Sequence, residues 1–111
     1  ALTFAVASAE ESFHTQVGRM RNEVRVSQER VDSLAKRFYE KAAGPSLERE
    51  AFIIDGMLAA ARKMQIDVLI SSFSAQPAHS VEYLRGQVDL LLLLNKKIEE
   101  EIVDILLKKE D

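Results

Sequence analysis

The chain has 111 residues, no cysteine and a formal net charge of −3 at pH 7, with 47% apolar and 30% charged residues. That length and balance describe one folded domain rather than a disordered chain, and four Gly, two Pro and no Trp leave room for few turns and long elements. The composition excludes the basic footprint that nucleic acid requires, disulfides and thiolate chemistry, and any apolar run of the roughly 18 residues that a membrane helix needs.

The chain opens with ALTFAVASA. Ala7 and Ala9 have the small-x-small spacing of a signal-peptidase site, and Leu2 to Val6 could end an apolar h-region, although no basic n-region precedes them. The alternative is a segment that starts the first helix or packs on it. From there the pattern predicts a helix over about 9–43. Phe13, Val17, Met20, Val24, Ser27, Val31, Leu34 and Phe38 are spaced 4, 3, 4, 3, 4, 3, 4, a heptad seam with Ser27 as its polar interruption.

Gly44-Pro45 ends that helix, because proline cannot continue it. Ser46 is the expected N-cap of a second helix over about 47–72, with Glu48 and Glu50 in its first turn, where the helix dipole favours negative charge. This segment is richer in small residues, among them Ala51 and Ala59 to Ala61, between Ile54, Met57, Leu58, Met64, Val68 and Leu69. Ser71 to Pro77 reads as the second break. Pro77 or Ser80 then starts a third helix over about 78–108. Its seam is Val81, Leu84, Val88, Leu91, Asn95, Ile98, Ile102 and Ile105, again with one polar member. Both connections are short, so the fold class expected is all-α, three long antiparallel helices in a bundle or coiled coil. The charges outside the seams read as solvated faces with i,i+4 pairs.

Leu90 to Leu94 are five leucines in succession within the third helix. Residues about 100° apart point all the way round the axis, so no single face holds five in a row. Two companion helices cover about two sides. The surplus implies a partner helix or self-association, with Leu90, Leu92, Leu93, Leu94, Asn95 and Ile102 as the expected partner-binding residues. Asn95 has two readings: a buried polar group that fixes register or oligomeric state, or a half-exposed seam residue.

No constellation reads as catalytic. Glu11-x-x-His14 has the spacing of a carboxylate-bridged di-metal bundle, but the other histidine, His79, follows Gln76 rather than a carboxylate. His-Glu-x-x-His, a glycine-rich phosphate loop and a Gly-x-Ser-x-Gly elbow are all missing. No enzyme activity, cofactor, metal, direct nucleic-acid contact or small-molecule ligand is expected.

Gln65-Ile66-Asp67-Val68-Leu69-Ile70-Ser71-Ser72-Phe73 resembles the end of the second long helix in the Mediator subunit 21 family, through Ile66, Asp67, Leu69, Ile70 and Ser72. Val31-Asp-Ser-Leu-Ala-Lys-Arg-Phe38 is similar to that family's first-helix pattern. Phe73-Ser74 stands where the family has Leu-Pro, the long loop between the first helices shrinks to the neighbourhood of Gly44-Pro45, and residues 1 to 25 extend beyond the family's start. The resemblance implies a nuclear, non-enzymatic scaffold subunit that pairs with another helical subunit in the transcription coactivator contacting RNA polymerase II. The other class is a secreted or periplasmic helical bundle, or a small helical chaperone, that binds a peptide or lipid through its apolar surface. ALTFAVASA points that way.

Overall fold

The computed structural model is an all-α bundle of three helices: α1 (Leu2–Lys41), α2 (Glu48–Ser74) and α3 (Ser80–Glu110). It describes residues 2–74 and 80–110, with side chains over 12–44, 46–73 and 81–108. At 1.5 Å per residue the helices are about 60, 40 and 46 Å long, and the molecule measures 66 × 20 × 16 Å.

The heptad seams become the core. Phe13, Val17, Met20, Val24, Ser27, Val31 and Phe38 of α1 are buried, and Leu34 packs partly buried against them. On α3, Leu84, Val88, Leu91, Asn95, Ile98 and Ile102 are buried, with Val81 and Ile105 half-buried at the ends. From α2, Ile54, Ala61 and Val68 complete the cluster. Consecutive helices run antiparallel, so α1 and α3 are parallel to one another, as the cross-links Glu23–Arg85, Ser27–Asn95 and Arg30–Glu99 require. Helix α3 packs extensively on both α1 and α2, which touch each other much less.

The boundaries differ from the expected ones in instructive ways. Backbone helix starts at Leu2 rather than near residue 9, so the segment containing Ala7 and Ala9 continues α1; its side chains lie outside the described ones. Helix α1 ends at Lys41, and the Ala42 N–H still bonds the Phe38 carbonyl at 2.8 Å. The turn that follows needs no left-handed residue at Gly44. It passes through a 3-10 turn, Pro45–Leu47, which includes Ser46, and buries Leu47 before α2 begins with Glu48 and Glu50 in its first turn.

Helix α2 runs on to Ser74, through serines expected in the second break. Serine competes with backbone bonding, and here that competition is satisfied within the helix. The buried Ser72 hydroxyl donates to the Leu69 carbonyl at 2.7 Å. Arg21 of α1 donates from Nε to Ser72 Oγ at 3.2 Å and from Nη2 to the Ser72 carbonyl at 3.3 Å, supplying donors to a helix end that lacks them. The Arg21 guanidinium also lies 4.7 Å from the Phe73 ring centroid. Pro77 and His79 lie outside the described residues.

Candidate interaction surface

The position of α3 between α1 and α2 explains its leucines. Leu91 is fully buried on the seam. Leu92 and Leu94, one residue and three residues further round, are half-buried and pack against the core cluster on either side of that seam. Leu90 and Leu93 are left over, at 60% and 65% exposure. With Met64 of α2 and Leu94 they line a groove of about 620 Å³ between α2 and α3, rimmed by Lys96, Lys97 and Glu100. Tyr83 continues the exposed apolar stripe towards the start of α3.

Two of the expected partner-binding residues need correction. Asn95 and Ile102 are both fully buried within the chain, so neither is presented to anything outside it. Ile102 belongs to the core because it falls on the same heptad row as Leu91 and Ile98. The Asn95 Nδ2 donates to Ser27 Oγ at 2.9 Å, so the polar group opposite Asn95 belongs to this chain's own α1. Any register that Asn95 sets is therefore that of α3 against α1. Its Oδ1 is buried and has no hydrogen-bond acceptor role among the described residues.

The charged side chains fasten the frame. Arg85 donates to Glu23 at 2.7 Å and to Asp89 at 2.6 and 2.9 Å, joining α3 to α1. Burial lowers the Arg85 pKa, but its bonds to Glu23 and Asp89 outweigh that and raise it above the ordinary value. The Arg25–Glu29 and Lys108–Asp104 pairs are exposed i,i+4 contacts, the solvated faces expected, each contributing only a few tenths of a kcal/mol. At the other end Tyr39 donates its hydroxyl to Asp55, linking α1 to α2 across the turn. Partial burial, then the bond to Asp55 and its charge, push the Tyr39 pKa up to about 12.

His14 is exposed and edge-on to Phe13, and the Glu11 side chain lies outside the described ones. Among the described residues no group of three His, Cys, Asp or Glu is placed to hold a metal ion, and no helix is long and apolar enough to cross a membrane.

One surface was not anticipated. The side of α2 facing away from the core exposes Phe52, Ile66, Ile70 and Phe73, with Ile53 and Leu69 beside them. Of Ala51 and Ala59 to Ala61, only Ala61 is buried; Ala51 is half-buried, and Ala59 and Ala60 are exposed. The signal that could have found this surface is a second heptad row in α2, out of phase with the first. Comparison with known protein families, with characterised proteins and with solved structures finds no match.

Proposed function

We propose that this chain is a non-enzymatic helical interaction subunit whose third helix receives helices of another protein. The observation that carries the reading is Leu90 and Leu93, largely exposed beside the apolar groove of Met64 and Leu94, on a helix whose Leu84, Leu91, Leu92, Leu94 and Leu106 are already engaged. An apolar stripe rimmed by charge matches an amphipathic helix laid in a groove, where apolar anchors set affinity and the rim sets orientation. Lys96, Lys97 and Glu100 supply that rim. The resemblance of Gln65 to Phe73 to the Mediator subunit 21 family supports reading the other protein as a second helical subunit of a transcription coactivator.

The test compares proteins captured from the native source by the wild-type chain and by Leu93→Glu. Helical subunits of the coactivator held by the wild type and lost from the variant support both parts of the proposal. Other helical proteins lost in the same way support the groove and remove transcription. Lipid or unfolded peptide held at this groove instead moves the reading to the chaperone class, and identical capture by both chains defeats the groove altogether.

A further inference from the structure

Helix α2 carries a complete second heptad row on the side opposite its core face. It runs Phe52, Gly56, Ala59 and Lys63, then Ile66, Ile70 and Phe73, in steps of 4, 3, 4, 3, 4, 3. All seven are exposed, Phe52 at 81% and Phe73 at 73%. Four large apolar residues on a row with this spacing read as a coiled-coil seam; Arg21 of α1 reaches the Phe73 ring at its far end, and none of the seven belongs to the core cluster. Gly56 strengthens the point. Glycine inside a helix is unfavourable relative to alanine, yet a Cβ at Gly56 would meet nothing within 4 Å. As at Gly18, Gly44 and Gly86, no packing among the described residues requires the missing side chain.

We infer that this row is a homodimer seam, on which α2 of a second copy packs antiparallel. The residues are arranged to complement themselves in that direction. Small residues, Gly56 and Ala59, follow Phe52 in the first half, and large ones, Ile66, Ile70 and Phe73, make up the second. An antiparallel pair sets the a positions of one helix against the d positions of the other. Two registers do this. In either, Gly56 meets Ile66 or Phe73 of the second copy, and Ala59 meets Lys63 or Ile70. A large side chain fills the space at Gly56 and at Ala59 in each, while Phe52 meets Ile70 in the first register and Lys63 meets Ile66 in the second; the twofold relation makes one patch serve both copies. A parallel pair would set Gly56 on Gly56, Ala59 on Ala59 and the seam's one charge, Lys63, on its own counterpart, leaving a void and a like-charge contact.

The area agrees with a second copy. Two phenylalanines of about 150–250 Å² each, with Ile66, Ile70 and flanking Ile53 and Leu69, amount to roughly 600 Å² per copy, about 1,200 Å² in all, at the lower end of stable interfaces. The seam lies away from Leu90 and Leu93, so the two surfaces can be occupied together.

Sedimentation equilibrium of the full chain at micromolar concentration should show a reversible dimer. Ile66→Glu should weaken it at least about tenfold with the helical content unchanged, since the residue is exposed in the single chain. Gly56→Gln should weaken it similarly while the monomer melts no lower, because glutamine is the better helix former but fills the hole. Leu93→Glu should leave the dimer intact, which separates this seam from the groove on α3. Spin labels on Arg62→Cys should approach within about 20 Å of each other, and labels on Arg49→Cys should stay about 35–45 Å apart. A monomeric wild-type chain, a dimer indifferent to both Ile66→Glu and Gly56→Gln, or Arg49→Cys labels as close as the Arg62→Cys labels would overturn the inference.

Discussion

Ser27 and Asn95 are each the fifth of eight seam positions, counted from Phe13 and from Val81. Helices α1 and α3 run parallel, so the two seams align member by member and the two polar entries meet. A slip of one heptad would set Asn95 against Met20 or Leu34 and leave a fully buried amide unpaired. Removing one member of a buried polar pair costs about 1–3 kcal/mol. Ser27→Ala should therefore lower the melting temperature by that equivalent in free energy. Asn95→Leu should raise it, because Asn95 Oδ1 is already buried without a bond and the Ser27 hydroxyl can turn to its own helix backbone. The cost of the second change should appear as slipped registers, seen as extra amide resonances in NMR spectra. A single set of resonances together with a lower melting point in Asn95→Leu would show that the pair does not hold the register.

Tyr39 gives a second residue-scale expectation. The neutral phenol donates to the Asp55 carboxylate, so the fold holds its proton beyond the usual value of 10.0 to about 12. Stability from this contact is fully present below pH 10.0 and is lost as pH rises through about 12. Tyr39 is 41% exposed and solvent screens the contact, so the expected effect is small. Ultraviolet titration of Tyr83→Phe, which leaves Tyr39 as the chain's one tyrosine, should show ionisation near pH 12 in the folded protein. A midpoint near 10 would mean that the Asp55 bond does not form in solution.

At the scale of elements, the five leucines separate into roles that one set of substitutions can measure. Leu91→Ala should destabilise the chain by about 2–5 kcal/mol, the usual range for truncating a buried leucine. Leu93→Glu should leave the melting temperature within about 0.5 kcal/mol of wild type, since the side chain is largely exposed. Equal losses at both positions would mean that Leu93 is core.

The seams of α1 and α3 were legible in the sequence because each has one apolar row, and one row gives one periodicity. The surplus in Leu90 to Leu94 was legible because no face can hold five residues. Helix α2 was harder. Apolar residues on two opposite sides blur any single stripe, so its outward row was hidden by its inward one. The extension of α2 through Ser71 and Ser72 depends on Arg21, some 50 residues earlier in the chain, and no local propensity encodes that. Assigning Asn95 to an external role failed for the same reason: the seam position was evident, but its companion Ser27 lay on another element.

The whole molecule is a rod with more surface than its mass requires. Its accessible surface is 7739 Å², against roughly 6,200 Å² for a globular monomer of 12.5 kDa. Its radius of gyration is 18.2 Å, against about 13 Å for a compact domain of this length. Three helices in this arrangement leave α3 open on one side and α2 on another, and most of the exposed large apolar side chains lie on these two. A rod associating side by side through α2 gains mass with little gain in length, whereas a rod associating end to end nearly doubles its length. Small-angle scattering of the dimer should thus give a radius of gyration of roughly 20–24 Å for the antiparallel α2 pair, and above about 30 Å for an end-to-end arrangement. Diluting the sample until it is monomeric should return it to near 18.2 Å, and Ile66→Glu should stay there at every concentration. An elongated dimer would place the contact at the helix ends and leave the outward row of α2 unused.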